Sequence, residues 1–343
     1  MRVAMYYNNR DVRLEELPRP VAGPGELLVK IHASGICGSD VMEWYRAGKA
    51  PLVLGHEMAG EVAAVGAGVT GFKPGDRVAT THHVPCLACP ECLGGHETVC
   101  DLLLSGTHFD PGGFCEYARL AAVNVERGTW RIPDDLSYDD ATFVEPLACV
   151  LRGQRLAGLK PGMSVLVLGS GISGLLHVHL ASVSGAGFVA ASDLSDYRLQ
   201  AARRFGASAA YRADGDVPGA FMADNQGRGA DLVVVCASAR AALEQAFGAV
   251  ARGGVILLFA PTGAGEVLPL SVNEQFWRRD LTITTTYAGG PADCAAALAL
   301  IANRRLRVAE MITHRLPLAE AAKGFALVAQ GGESIKVIIR PQE

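Results

Sequence analysis

Over roughly the first 150 residues, apolar positions come in short runs that glycine and proline keep interrupting. Residues 2–6, 12–15 and 26–31 read as strands, with Pro18, Pro20 and Pro24 breaking the connections between them. Two more runs, 58–65 and 77–79, are separated by Gly66, Gly68, Gly71 and the turn Lys73-Pro74-Gly75-Asp76. This texture predicts a small, irregular β-rich domain or partial barrel. From about residue 150 the rhythm changes to alternating strands and helices. Strands are expected at 164–168, 188–192, 231–236, 255–260 and 281–287, with helices from Ile172 and over 197–205 and 240–250. The pattern predicts a doubly wound parallel sheet. Beyond Gly289-Gly290-Pro291 come a helix (293–302), a strand near Ile312, a helix (318–328) and a closing strand (335–339), a tail expected to return to the first domain. The expectation is an α/β chain of two domains, 1–149 with 291–343, and 150–290.

Composition narrows the function classes. The chain is half apolar and only 19% charged, enough apolar material for two cores over 343 residues. A net charge of -4 argues against nucleic acid or an acidic membrane as the main partner. The N-terminus has no apolar stretch of signal-peptide length. One uncharged run, 161–192, is long enough to cross a bilayer, but it holds six glycines, Gly162 to Gly187, and also His177 and His179. A buried strand–turn–helix–strand unit accounts for that mixture better than a membrane helix. A soluble cytoplasmic protein is expected.

The candidate chemistry begins with cysteine. Nine is an odd number, and Cys86, Cys89, Cys92 and Cys100 are clustered. In a reducing compartment such a cluster points to metal rather than disulfides. Four thiolates at these spacings can close a tetrahedral structural zinc site; an iron–sulfur centre is the alternative that the spacing leaves open. Earlier, Cys37 is followed by His56 and Glu57, with Gly35, Gly38, Gly55 and Gly60 supplying tight turns. Thiolate, imidazole and carboxylate are all zinc ligands, and a catalytic zinc needs three with one position open. Each residue alone has a plainer reading: a small buried thiol, a loop histidine, a surface charge. Glu145 precedes Pro146, which biases it toward an extended backbone and a fixed carboxylate. His82, His83, His96 and His108 are rival ligands, expected beside the metal groups or at the surface. Trp44 and Tyr45 are candidates either for lining a substrate site or for packing.

In the second domain, Gly169-Ser170-Gly171-Ile172-Ser173-Gly174 sits between an expected strand and an expected helix. Its first two glycines allow a tight turn and close approach of a pyrophosphate, and the third lets helix pack on strand. Asp193 ends the next strand, where a carboxylate bonds ribose hydroxyls and repels a 2′-phosphate, favouring NAD over NADP. Arg198, five residues on, is expected along the adenine or on the helix surface.

Taken together, the Cys37 loop, Gly55-His56-Glu57, the four-cysteine lobe, Glu145-Pro146 and the 169–174 turn with Asp193 resemble the zinc-dependent medium-chain alcohol and polyol dehydrogenases over essentially the whole chain. Glu145-Pro146-Leu147 looks most like the sorbitol/iditol and threonine dehydrogenase branch. The resemblance implies a GroES-like catalytic domain, a Rossmann domain, and two zinc ions per chain. Cys37, His56 and Glu57 would hold the catalytic ion, with Glu145 either a ligand or bonded to its water. Cys86, Cys89, Cys92 and Cys100 would hold the structural ion. The implied reaction moves hydride from a secondary alcohol or polyol to NAD, with Ser39 taking the hydroxyl proton. A homodimer or homotetramer is implied, its partner molecule a small alcohol or ketone. Two departures stand out. The family's proton-relay histidine is replaced by Met42, and an arginine that contacts polyol hydroxyls aligns with Thr286, which weakens the case for sorbitol itself. The competing readings are a zinc-free quinone or enone reductase of the same fold and a nucleotide-binding protein without catalysis.

Overall fold

The strand Leu27–Gly35 carries the first unit in a computed structural model that describes residues 1–106 and 108–343. Most of its side chains are buried on both faces, as expected of an apolar run covered on each side. It pairs antiparallel with Glu57–Val65, bringing Gly35 opposite Glu57. Its other edge is shared by Tyr117–Leu120 and the C-terminal strand Lys336–Arg340, both antiparallel to it. Register shifts at Leu28/Val29 and Ile31/Ala33 bend the sheet. The path continues through Arg77–Thr80 to Thr129–Arg131 at one end and through Ile312–Pro317 at the other. A smaller sheet joins Asp11–Glu16, Arg2–Asn8 and Leu52–Val53. Tyr6, Phe114 and Phe325 form the aromatic centre of this core, with Phe325 5.6 Å from each of the other two rings. The unit comprises Met1–Ala148 and Ala288–Glu343, so the C-terminal tail belongs to it.

The second unit, Cys149–Tyr287, is an all-parallel six-stranded sheet. Its order is Ala209–Arg212, Phe188–Asp193, Ser164–Leu168, Ala230–Val235, Val250–Leu258, Thr282–Thr285. This is the doubly wound order of a dinucleotide-binding domain. Helices cover both faces, so every residue of Ser164–Leu168 is buried and alternation is absent from the sequence there. Fully burying each of its valine and leucine side chains contributes about 1.5–3 kcal/mol. Among the described residues no helix is long and apolar enough to cross a membrane.

Several elements differ from expectation, among them the helix Val217–Asp224, which the reading of the sequence did not include. The short strands Thr129–Arg131 and Ala209–Arg212 lie at sheet ends and carry arginine, leaving no apolar pattern to read. Glu145 is not extended: it sits in the first turn of the helix Val144–Leu156. Pro146 does not block that helix because an N–H in the first turn has no intrahelical acceptor to lose.

Gly174 makes the turn of the second unit possible. A Cβ there would overlie the carbonyl oxygen of Gly169, so the helix Ile172–Val183 can pack on its own entry turn only without a side chain. At Gly171 a Cβ would meet open space. Gly174→Ala is expected to lower stability by about 1–3 kcal/mol in chemical denaturation, whereas Gly171→Ala leaves the midpoint nearly unchanged. Equal midpoints for the two variants would contradict this packing.

Candidate functional site

Cys37 ends the path out of the central strand and caps the short 3-10 turn Gly38–Val41. Its sulfur accepts from Ser39 N–H at 3.4 Å, and its own N–H donates to Asp40 Oδ2 at 3.0 Å. Asp40, fully buried, also faces His56 Nδ1 at 3.4 Å, which leaves Nε2 of that ring for another partner. Burial disfavours the charged form of His56, but the Asp40 charge and hydrogen bond, with Cys37 adding to them, carry its pKa well above the usual histidine value. Arg46 closes the turn, donating from Nε to Ser39 O at 2.9 Å and from Nη2 to Ser39 Oγ at 3.2 Å.

Glu57 begins the strand Glu57–Val65 and is almost wholly buried. One of its oxygens, Oε2, takes an ion pair from Lys336, itself fully buried in the C-terminal strand, whose Nζ also donates to Ile36 O at 3.3 Å. Burial raises the pKa of Glu57 and the nearby Glu145 charge adds to this, while Lys336 opposes it; the net direction is up. Gly35 makes the pair fit, since a Cβ there would collide with Glu57 Oε2 and the end of Lys336. Cys37, His56 and Glu57 present ligand atoms that all lie within 4.8 Å of one another.

A second convergence involves His82, His83 and Glu145, whose ligand atoms also lie within 4.8 Å of one another. His83 Nδ1 faces Glu145 Oε1 at 3.1 Å. Burial would raise the pKa of Glu145, but the bond from His83 and the positive groups around it bring it below the usual value. The His82 ring lies 4.8 Å from His56 and 3.7 Å from His83, centroid to centroid. Burial, then the neighbouring His83, His56 and Arg46, hold its pKa well below normal.

The four clustered cysteines meet as a third group within the same 4.8 Å limit. Cys86 N–H and the backbone near Leu102 and Leu103 donate to Cys100, and despite burial these bonds pull its thiol down to about 6. Backbone N–H groups of Ala88 and Cys89 lower that of Cys86. Cys89, though the Cys92 backbone N–H pulls the other way, is pushed up to about 12 by burial and hydrogen bonds with Cys92, Cys86 and Glu91. Backbone donors aimed at sulfur and thiols that share protons suit a set completed by a cation.

His96 is exposed, and His108 bonds Leu102 O at 3.2 Å, so neither joins the metal-type groups. Trp44 and Tyr45 are 54% and 38% exposed, and Tyr45 lies under Lys49 and Arg46 rather than in the core. In the second unit, Gly169–Gly174 runs from the strand Ser164–Leu168 into the helix Ile172–Val183. Asp193 accepts from Ser170 N–H at 2.8 Å and Ser195 N–H at 2.9 Å, fixing the carboxylate against that turn. Arg198 lies in the first turn of the helix Asp196–Arg204, its N–H on Ser195 Oγ. Thr286 Oγ1 is buried with no hydrogen-bond partner among the described residues.

Comparison with known proteins agrees with this arrangement. The alcohol dehydrogenase GroES-like domain matches residues 23–134, and the zinc-binding dehydrogenase domain matches residues 173–303. Sorbitol dehydrogenase of Gallus gallus is 33% identical over 340 residues, covering 96% of this chain and 93% of that protein. This chain belongs to the zinc-dependent alcohol and polyol dehydrogenases. L-threonine 3-dehydrogenase of Symbiobacterium thermophilum is 31% identical over 349 residues, covering 96% and 94%. Among solved structures, a putative zinc-binding dehydrogenase of Clostridium scindens superposes with a TM-score of 0.90 at 26% identity over the whole of both chains.

Three residues of this dehydrogenase's site, Asp40, Lys336 and Arg46, escaped the reading of the sequence. Lys336 opens the closing strand ahead of three apolar residues and is fully buried, a visible signal of a buried partner. Arg46 follows Cys37 on a turn whose geometry no periodicity reveals. Removing a buried cation strands its anion, which costs about 3–5 kcal/mol. Lys336→Met is therefore expected to lose about that much stability in the metal-free protein, and the double variant with Glu57→Gln to recover most of it. Urea denaturation of both variants checks this, and a double variant no more stable than Lys336→Met would refute the pairing.

Proposed function

We propose that this member of the family is an NAD-dependent dehydrogenase of secondary alcohols and polyols, with one catalytic and one structural zinc. The observation that carries it is the convergence of Cys37, His56 and Glu57, with His56 and Glu57 each already tethered through a second atom and the Cys37 sulfur bonded by the Ser39 N–H. Asp40 holds His56 by Nδ1 and Lys336 holds Glu57 by Oε2, so Nε2 and Oε1 remain to join the Cys37 sulfur on an ion. Tethered ligands of this kind are how proteins fix metal geometry. Glu145 falls with His82 and His83 rather than with this triad, which favours Glu57 as the carboxylate ligand. The cysteines 86, 89, 92 and 100 fit the structural ion.

Bound at these places, zinc supplies a Lewis acid for the substrate oxygen and the nicotinamide supplies the hydride acceptor. The chain's own groups do the rest. Ser39 would accept the proton of the substrate hydroxyl while releasing its own, its Oγ held in place by Arg46. A guanidinium cannot take that proton on and Met42 carries no titratable group, so neither residue relays it beyond Ser39. The helix that begins at Ile172 directs its free N–H groups at a pyrophosphate, and Asp193 offers its carboxylate to ribose hydroxyls. The edge strand Thr282–Thr285 and exposed Val267, Val272 and Trp277 support assembly into a homodimer or homotetramer.

Two measurements test this. Purified protein is expected to hold two zinc atoms per chain by atomic emission and to make NADH from a panel of secondary alcohols and polyols. Absence of zinc would favour the zinc-free reductase, and absence of NADH from every alcohol would favour a protein without catalysis. Separately, Asp193→Gly is expected to shift the NAD/NADP ratio of kcat/KM toward NADP by about tenfold or more, about 1.4 kcal/mol. An unchanged ratio would count against the role given to Asp193.

A further inference from the structure

Among His56, His82 and His83, His82 is the ring without a side-chain hydrogen-bond partner among the described residues. His56 has Asp40 and His83 has Glu145, but His82 Nδ1 is buried with no hydrogen-bond partner among the described residues. A buried polar atom left unpaired is destabilising, and where it persists beside a reaction site a ligand is the natural partner. The ring is held edge-on to His56 and against His83, with Phe109 6.2 Å away.

A second metal ion on His82, His83 and Glu145 is the first alternative, since their ligand atoms converge. Geometry argues against it: His83 Nδ1 already faces Glu145 Oε1 at 3.1 Å, so two of the three groups are spent on each other and His82 is left as the ring with an unpaired nitrogen.

We propose that His82 is a specificity-determining residue that hydrogen-bonds the hydroxyl on the carbon next to the one being oxidised, so that the site selects vicinal diols over simple secondary alcohols. This rests on the polyol dehydrogenase reading above. The two oxygens of a vicinal diol lie about one hydrogen-bond length apart. An oxygen placed at the Cys37–His56–Glu57 donors therefore leaves its neighbour close to the ring that abuts His56. The unpaired Nδ1 of the ring can bond a hydroxyl, which both donates and accepts. Phe109 offers apolar surface to the carbon chain. A site built to bond a hydroxyl rejects the analogue that lacks it, because its own polar group is then left unpaired.

The test compares 2,3-butanediol with 2-butanol as substrates of the full-length, zinc-loaded enzyme, following NADH. The wild type is expected to favour the diol by about a hundredfold or more in kcat/KM. His82→Phe should cut kcat/KM for the diol by about 10–100-fold, mainly through KM, and leave 2-butanol within about twofold. His82→Gln, which keeps a donor and an acceptor, should recover much of the diol activity. Zinc content and melting temperature of both variants should match the wild type. Equal losses on the two alcohols, or one fewer zinc atom per chain, would overturn the proposal by making His82 a structural group or a ligand. A wild type without preference for the diol would overturn it as well. No NADH from either butanol compound would instead bring down the dehydrogenase reading on small secondary alcohols, and this inference with it.

Discussion

Glu57 and Lys336 are both out of water, and each is tolerable only because of the other. A charge moved alone into a protein interior costs several kcal/mol, so buried acids and bases have to be arranged in balanced sets. Around Cys37 that constraint governs nearly every placement. Asp40 is shared by His56 and Arg46, Glu57 by Lys336, and Glu145 by His83. The strand order follows the same requirement. The C-terminal strand must return to pair with Leu27–Gly35, because only there does Lys336 meet the first residue of Glu57–Val65. Gly35 is empty of side chain at that meeting point for the same reason.

The same placements explain how ligands can be selective without being numerous. The imidazole of His56 and the carboxylate of Glu57 are each bonded at one end before the other is offered to an ion, so their rotation is largely spent before any ion arrives. The four-cysteine lobe uses another device, backbone N–H groups directed at sulfur. The second unit needs neither. Its chemistry rests on backbone: a turn free of side chains at Gly169, Gly171 and Gly174, and a carboxylate clasped by two N–H groups at the end of a parallel strand.

Much of this was legible in the residues themselves. Strand and helix alternation after about residue 150 gave the parallel sheet, and the cysteine spacing gave the lobe, because both signals are local in sequence. What stayed hidden depends on contacts between distant segments. Lys336 lies 279 residues from Glu57, and nothing local names its partner. The reading of Glu145 as extended relied on a rule for the residue before proline that gives way inside a first helical turn. His82 and His83, adjacent in the chain, were set down as bystanders; their convergence with Glu145 depends on where the helix Val144–Leu156 begins.

The central claim is that a single ion sits on Cys37, His56 and Glu57 while the neighbouring His82, His83 and Glu145 stay free of metal. An anomalous-difference map at the zinc edge from crystals of the zinc-loaded protein tests it most directly. The account predicts one peak bonded to the Cys37 sulfur, His56 Nε2 and a Glu57 oxygen, and one within the four-cysteine lobe. A peak bonded to His82, His83 and Glu145, or none at Cys37, would contradict it.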